Sequence, residues 1–266
     1  MPPALSTCQP AFSDVVQGAR AVHLWGALGW QDIRQRYRRS RLGPFWLTIS
    51  MGVLVAALGV LYAGLFDIEV AVYLPFIAGG FVVWGLISGL ITDGCTAFIH
   101  AESIVKQVNL PLSVHVYRVV WRTLIVFAHN AVIFVVVALL FSIRPGWAGL
   151  LALPGLAVLC VNGVWVGLLL GLVSARYRDI PQIVASFVQV TFFLTPIIWQ
   201  PELLPDRALV LDFNPFYHFV ELVRGPALGR APELVSWLAA AGVTLGGWLV
   251  TLALYCRYRW RIAYWL

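Results

Sequence analysis

Charge is scarce in this chain: Asp, Glu, Lys and Arg make up 11% of 266 residues, against 61% hydrophobic residues, a balance far from that of water-soluble domains. Lysine is scarcer still. Lys106, in IVKQVN, is the single one and has no glycine before it, so a GxxxxGK[ST] phosphate loop is excluded and the chain does not bind ATP in that way. The four cysteines, Cys8, Cys95, Cys160 and Cys256, are scattered without a CxxC pair, which argues against a disulfide framework and a thiolate metal site. No cleavable leader is read in the first forty residues, because their basic cluster closes the stretch instead of opening it. Acidic and basic residues are wholly absent from the stretches 45–66, 70–92, 123–143, 147–175, 180–200 and 234–256. Ion-coupled pumps generally carry titratable groups inside the membrane, so ion-driven transport is not expected.

Each of those six stretches is long enough for an apolar helix to cross a hydrocarbon layer of ~30 Å, which takes ~20 residues. The chain therefore reads as one all-α integral membrane domain, residues 1–266, with six spans. Short loops rich in Lys and Arg stay on the cytoplasmic side. With the N-terminus inside, only Arg144, Arg207, Arg224 and Arg230 of the 18 basic residues fall on the outer side, so both termini are expected to be cytoplasmic. The outer loops carry acid instead: Asp67 and Glu69 in the first, and Glu202, Asp206, Asp212, Glu221 and Glu233 in the last.

Ahead of the first span, RQRYRRSRLGPFWL concentrates Arg34, Arg36, Arg38, Arg39 and Arg41. One reading is a positive-inside anchor. Another looks upstream, where Val15, Ala19, Val22, Gly26, Trp30, Ile33 and Tyr37 recur at helical steps, with Trp25 and Trp30 suited to a headgroup region. Residues 12–41 then form an amphipathic helix in the cytoplasmic interface, broken by Gly43 and Pro44, and able to attract anionic lipid headgroups or a phosphorylated lipid-linked substrate. The residue pattern leaves both open.

Within the spans, His129, Asn130, Asn162 and Gln189 read as helix-packing hydrogen-bond partners. A membrane acyltransferase built on His129 and Asn130 is disfavoured, since adjacent helical positions point ~100° apart. Between spans two and three, Glu102 and Lys106 at i,i+4 predict a short helix ended by Pro111. Between spans four and five, SARYRDIPQ crowds Arg176, Arg178 and Asp179 into a turn. Both segments read equally as solvated connections or as docking knobs for a cytosolic partner. The outer segment 201–233 is too apolar for a free loop; Phe216, Phe219, Val220 and Val223 predict a short helix after Pro215 that ends at Gly225 and Pro226 and could re-enter the membrane to close an exit.

Three segments together, RYRRSRLGPFWL, SARYRDIPQIVASFVQVTFFLTPIIW and NPFYHFVELVRGPALG, resemble the transmembrane permease subunit of ATP-binding-cassette exporters of O-antigen and related bacterial polysaccharides. The resemblance spans nearly the whole chain. It implies a non-catalytic transport subunit of the bacterial inner membrane, forming a homodimer with two copies of a separate nucleotide-binding subunit that holds ATP and Mg, while this chain carries no cofactor or metal. The implied cargo is polysaccharide attached to undecaprenyl pyrophosphate; membrane lipids are partners and nucleic acid is not. Carried over by the resemblance, Arg34, Arg36, Arg38, Arg39 and Arg41 stand where the lipid pyrophosphate is admitted. Glu102, Lys106, Arg176, Arg178 and Asp179 become ATPase-coupling residues. Asn214, Pro215, Phe216, Tyr217, His218, Glu221 and Arg224 become the outer gate. Sugars stack on rings, and Tyr62, Tyr73, Trp84, Phe192, Phe193 and Trp199 are candidate channel aromatics, although rings in spans serve packing more often. Alternative readings are a teichoic-acid or capsular polysaccharide exporter of the same architecture, a membrane-embedded transferase on lipid-linked sugars, and a passive lipid scaffold.

Overall fold

A computed structural model describes residues 4–36, 38, 45–203 and 211–266. The described residues are helical and include no strand. In chain order they form α1 (Ala4–Arg20), α2 (Val22–Arg36), α3 (Phe45–Leu65), α4 (Val70–Cys95), α5 (Glu102–Gln107), α6 (Ser113–Leu140), α7 (Ala152–Arg176), α8 (Ile180–Leu194), α9 (Pro215–Ala227), α10 (Leu234–Tyr258) and α11 (Ile262–Trp265), with short 3-10 turns at Gly146–Leu151, Pro201–Leu203 and Arg259–Arg261. Five of the segments are long and apolar enough to cross a membrane: Thr48–Leu65, Val70–Cys95, Ser113–Leu140, Gly146–Arg176 and Leu234–Trp265.

The fifth expected span differs from its sequence boundary. Residues 180–200 were bounded by absence of charge, but α8 stops at Leu194, and Thr195 leaves the helix with φ −96° and ψ 136°. Pro196 follows, and the residue before a proline is pushed out of the α region. Fifteen helical residues reach about 22 Å at 1.5 Å each, short of the hydrocarbon thickness. The third span differs in the other direction, because α6 begins at Ser113 and carries Arg118 and Arg122 inside its helix. Their charges are tolerated because each is paired. Arg118 forms a fork with Asp32, and Arg122 reaches Asp32 at 3.2 Å and Asp93 at 2.8 Å.

At the centre of the bundle, α4 is buried almost without interruption from Tyr73 to Leu90 and packs on α3, α6, α7, α8 and α9. The single N-terminal helix expected from residues 12–41 is two helices, α1 and α2, separated at Ala21, and they pack on the start of α6, α1 also on α10. Their buried faces are Ala11, Asp14 and Gly18 in α1, and Gly29 and Ile33 in α2 with Trp25 against Tyr117 and Trp121. Of the expected stripe, Ile33 is buried and Val15 and Gly26 are partly buried, while Ala19, Val22 and Trp30 lie exposed. Tyr37, Gly43 and Pro44 fall outside the described residues.

Candidate functional site

At the arginine-rich end, Asp14 is the organising group. Its carboxylate is fully buried and accepts from the backbone N–H groups of Leu112 and Ser113, both at 3.0 Å, from the Tyr255 hydroxyl at 3.1 Å and from Arg259, whose Nη2 lies 2.9 Å away. The first N–H groups of α6 lack helical partners, so α1 supplies a side-chain cap from another element. Helices α1, α6 and α10 are thereby fastened at one point. Around this fastening, Arg34, Arg36 and Arg38 are exposed, in contrast to Arg118 and Arg122, which are neutralised. Arg39 and Arg41 lie outside the described residues.

The expected coupling residues gather on the same end. Lys106 Nζ donates to Glu102 Oε1 at 2.6 Å along α5, and Arg178 Nη2 stands 4.0 Å from Glu102 Oε2. The Lys106 ammonium, in direct hydrogen-bond contact, holds the Glu102 carboxyl below the usual carboxylate range. Asp179 is the N-cap residue of α8, where its backbone carbonyl, not its side chain, accepts from Gln182 and Ile183. Arg176 stacks on Tyr177 and Trp265. The short helix expected from the Glu102–Lys106 spacing is present, and it ends at Gln107, four residues ahead of Pro111.

At the opposite end α9 is pinned at three places. Asn214 caps it, with Oδ1 accepting from the backbone N–H groups of Phe216 at 3.0 Å and Tyr217 at 3.3 Å, while its Nδ2 donates to Leu194 O and Thr195 Oγ1, both at 3.2 Å. His218 is buried, with Nδ1 3.0 Å from Ser236 Oγ and Nε2 3.0 Å from the Asp212 carbonyl. Arg224 is wholly buried: it forms an ion pair with Glu221, donates from Nη1 to the Pro196 carbonyl at 2.6 Å, and lies 4.0 Å over the Phe76 ring. A Cβ at Gly79 would stand 3.2 Å from Arg224 Cγ, and one at Gly80 3.4 Å from Nη1, so the guanidinium lies in a seat made by side-chain-free positions of α4. The sequence places Arg224 on the outer side among the expected gate residues and gives no sign of this seat; the adjacent Gly79 and Gly80 of α4 are the available signal.

Helix α9 runs through Gly225 and Pro226 instead of ending there. It stops at Ala227, and Gly229 just beyond, with φ +85°, takes the left-handed conformation glycine adopts readily after a helix end. Pro226 lacks the N–H that would meet the Leu222 carbonyl. That carbonyl faces α7, where a Cβ on Gly155 would stand 2.3 Å from it. Gly155→Ala is therefore expected to separate α7 from α9 and to cost about 1–3 kcal/mol of overpacking, read as a lowered unfolding temperature of the purified protein.

A cavity of about 430 Å³ opens beside the pinned helix between Pro75, Phe76, Gln200, Glu202, Tyr217, Glu221 and Arg230. Burial, with Glu221 nearby, pushes the Tyr217 phenol up. Pro215 is the first residue of α9, and Phe216 joins a ring cluster in which Trp84 and Phe192 are 5.8 Å apart, Trp84 and Phe216 5.8 Å, and Phe192 and Phe193 5.2 Å. Of the other expected aromatics, Tyr73 is buried and donates its hydroxyl to the Ile198 carbonyl, Tyr62 stacks on Phe66 at 5.6 Å, and Trp199 donates to Phe193 O at 3.0 Å. His129 Nδ1 is 2.8 Å from the Ile125 carbonyl one turn back, while Asn130 is buried on a different face, so the two form no joint centre. No group of three or more His, Cys, Asp or Glu residues is placed to hold a metal among the described residues.

Comparison with known proteins adds an independent line. The profile of a family described as ABC-2 type transporter matches residues 23–228. A Klebsiella pneumoniae protein described as O-antigen export system permease protein RfbA is 23% identical over 243 residues, covering 88% of this chain and 91% of its own length. A Myxococcus xanthus protein of the same description is 23% identical over 225 residues, covering 81% of this chain and 84% of its own length.

Proposed function

The chain belongs to the ABC-2 type transporter family, and on that premise we propose that it is the membrane-embedded subunit of an ATP-driven exporter of undecaprenyl-pyrophosphate-linked polysaccharide of the O-antigen type. The observation that carries the reading is the near full-length similarity to two O-antigen export permeases by a chain with no phosphate loop of its own and no charge in its apolar stretches. ATP and Mg are then bound and hydrolysed by a separate subunit, present in two copies beneath a homodimer of this chain. The dimer sits in the bacterial inner membrane with both termini cytoplasmic, and this chain needs no cofactor.

In this reading α8, extended by residues 195–200, is the sixth crossing. Its exposed apolar face, Ile183, Phe187, Val190 and Leu194, is supported as a dimer-facing surface by its position beside the ring cluster of Trp84, Phe192 and Phe216. Arg34, Arg36 and Arg38, which carry no partner among the described residues, receive the pyrophosphate at the cytoplasmic interface; guanidinium forks match phosphate oxygens in pairs. Helix α5 and the 176–181 turn take the stroke of the ATPase, and α9 closes the outer end until it is released.

Replacing Arg34, Arg36 and Arg38 together by Gln is expected to lower surface polysaccharide by at least about tenfold, the worth of one lost charge-assisted contact of ~1.4 kcal/mol, with unchanged amounts of inserted protein. Undiminished export would leave the basic run as a topological anchor only.

A further inference from the structure

Arg176 and Arg178 leave the turn after α7 separately and end on the same short element. The Arg176 guanidinium lies 5.1 Å from the centre of the Trp265 ring, and Arg178 Nη2 donates to the Leu266 carbonyl at 3.2 Å while standing 4.0 Å from Glu102 Oε2. Helix α11 packs on both α7 and α5; Ile262 is fully buried beneath it, and the Trp265 ring is 6.0 Å from that of Tyr258. Residues 259–266 are thus seated against both segments that the resemblance assigns to coupling. Outward they present Trp260 and Tyr264, 68% and 88% exposed, with the Arg261 guanidinium 4.7 Å over the Trp260 ring; Tyr177, on the turn itself, is 54% exposed.

We propose that residues 259–266 are a third arm of the surface that docks the ATPase, joined to α5 and the 176–181 turn as one unit. The inference rests on the function proposed above. Trp260 and Tyr264 supply the apolar anchors, and Arg176, Arg178 and Arg261 the charged rim, the residue types that dominate binding energy at protein interfaces. Because Arg176 and Arg178 are already held by a ring and a carbonyl, little side-chain freedom is lost when a partner arrives. The one acid of α5, Glu102, is paired with Lys106, and Arg176, Arg178 and Arg261 outnumber Asp179 of the turn, which leaves the unit basic, so the complementary face on the ATPase carries carboxylates around an apolar recess. The competing occupant is lipid headgroup, where Trp and Tyr also collect. Contact with α5 argues against it. That helix buries none of its residues and holds an exposed ion pair, the mark of an element in water.

The test uses the tagged full chain solubilised from its native membrane in mild detergent, with the ATPase identified by its phosphate-loop peptide and quantified against this chain. Tyr264→Ser removes a side chain with little internal contact, so insertion is expected to be normal. Combined with Trp260→Ser it should reduce recovered ATPase at least tenfold, and raised salt should weaken the wild-type association. Trp147→Ser, at the opposite end and 88% exposed, should leave recovery unchanged. Wild-type recovery in both Tyr264→Ser and the double variant overturns the third arm while the exporter reading stands. Recovery unchanged, together with quenching of Trp260 by brominated lipid, assigns the segment to the headgroup layer and equally overturns it. No ATPase with the wild-type chain defeats both proposals.

Discussion

Arg224→Ala is expected to abolish export and to destabilise the protein by about 3–5 kcal/mol, the cost of breaking a buried ion pair and leaving one charge uncompensated. In the native arrangement the guanidinium ties Glu221 of α9 to the Pro196 carbonyl where α8 has just ended, with the Phe76 ring of α4 beneath it. Removing it strands a carboxylate that is 18% exposed and a buried carbonyl, and empties the seat on Gly79 and Gly80. A double variant, Arg224→Met with Glu221→Met, separates stability from transport. Apolar replacements of a buried pair are often neutral or stabilising, so the unfolding temperature should return towards wild type. Under the gate role proposed for α9, export should not return, because that helix is then held by packing that does not open. Recovery of both properties would make the pair a packing feature alone.

Asp14→Ala is the second large effect, expected at about 3 kcal/mol and read as a fall in unfolding temperature and in the amount of folded protein recovered from membranes. The carboxylate serves the backbone N–H groups of Leu112 and Ser113 at the start of α6, one tyrosine and one arginine. Arg259 is 32% exposed and regains water when Asp14 is lost, which keeps the cost near the lower end of the buried-pair range. Asp14→Asn keeps an oxygen for α6 and Tyr255 but gives up the charge towards Arg259, so its loss should fall between wild type and alanine. Equal losses for the two substitutions would show that charge, not capping, carries the contact.

Much of the architecture was legible because hydrocarbon thickness imposes it: uncharged runs of more than 20 residues located the spanning segments, and Pro215 and the Glu102–Lys106 spacing located α9 and α5. Absence of charge is a one-sided rule, however. It placed the start of α6 too late, because Arg118 and Arg122 are paired by Asp32 and Asp93 from other helices, and it carried α8 past Thr195, because a backbone break needs no charge. The N-terminal stripe was read from spacing alone; the helix breaks at Ala21, and in α1 the face turned inward carries Asp14 and Gly18, one position before the expected Val15 and Ala19. Among the site residues, the grouping of Glu102, Lys106 and Arg178 followed from loops expected to share one end. The burial of Asp14 and Arg224 did not, since Asp14 is held by groups 98 or more residues away in the chain, and Arg224, beside its near neighbour Glu221, is anchored by the Pro196 carbonyl 28 residues away. Likewise, residues 259–266 carry no motif; only their contacts with Arg176 and Arg178 single them out.

Purification of the tagged chain from its native membrane, with ATP hydrolysis assayed on the product, tests the central claim most directly. Export by an ATP-driven complex predicts a phosphate-loop ATPase recovered in equal stoichiometry and hydrolysis that is lost when that subunit's phosphate-loop lysine is replaced. A preparation in mild detergent that holds this chain alone and hydrolyses no ATP would contradict it.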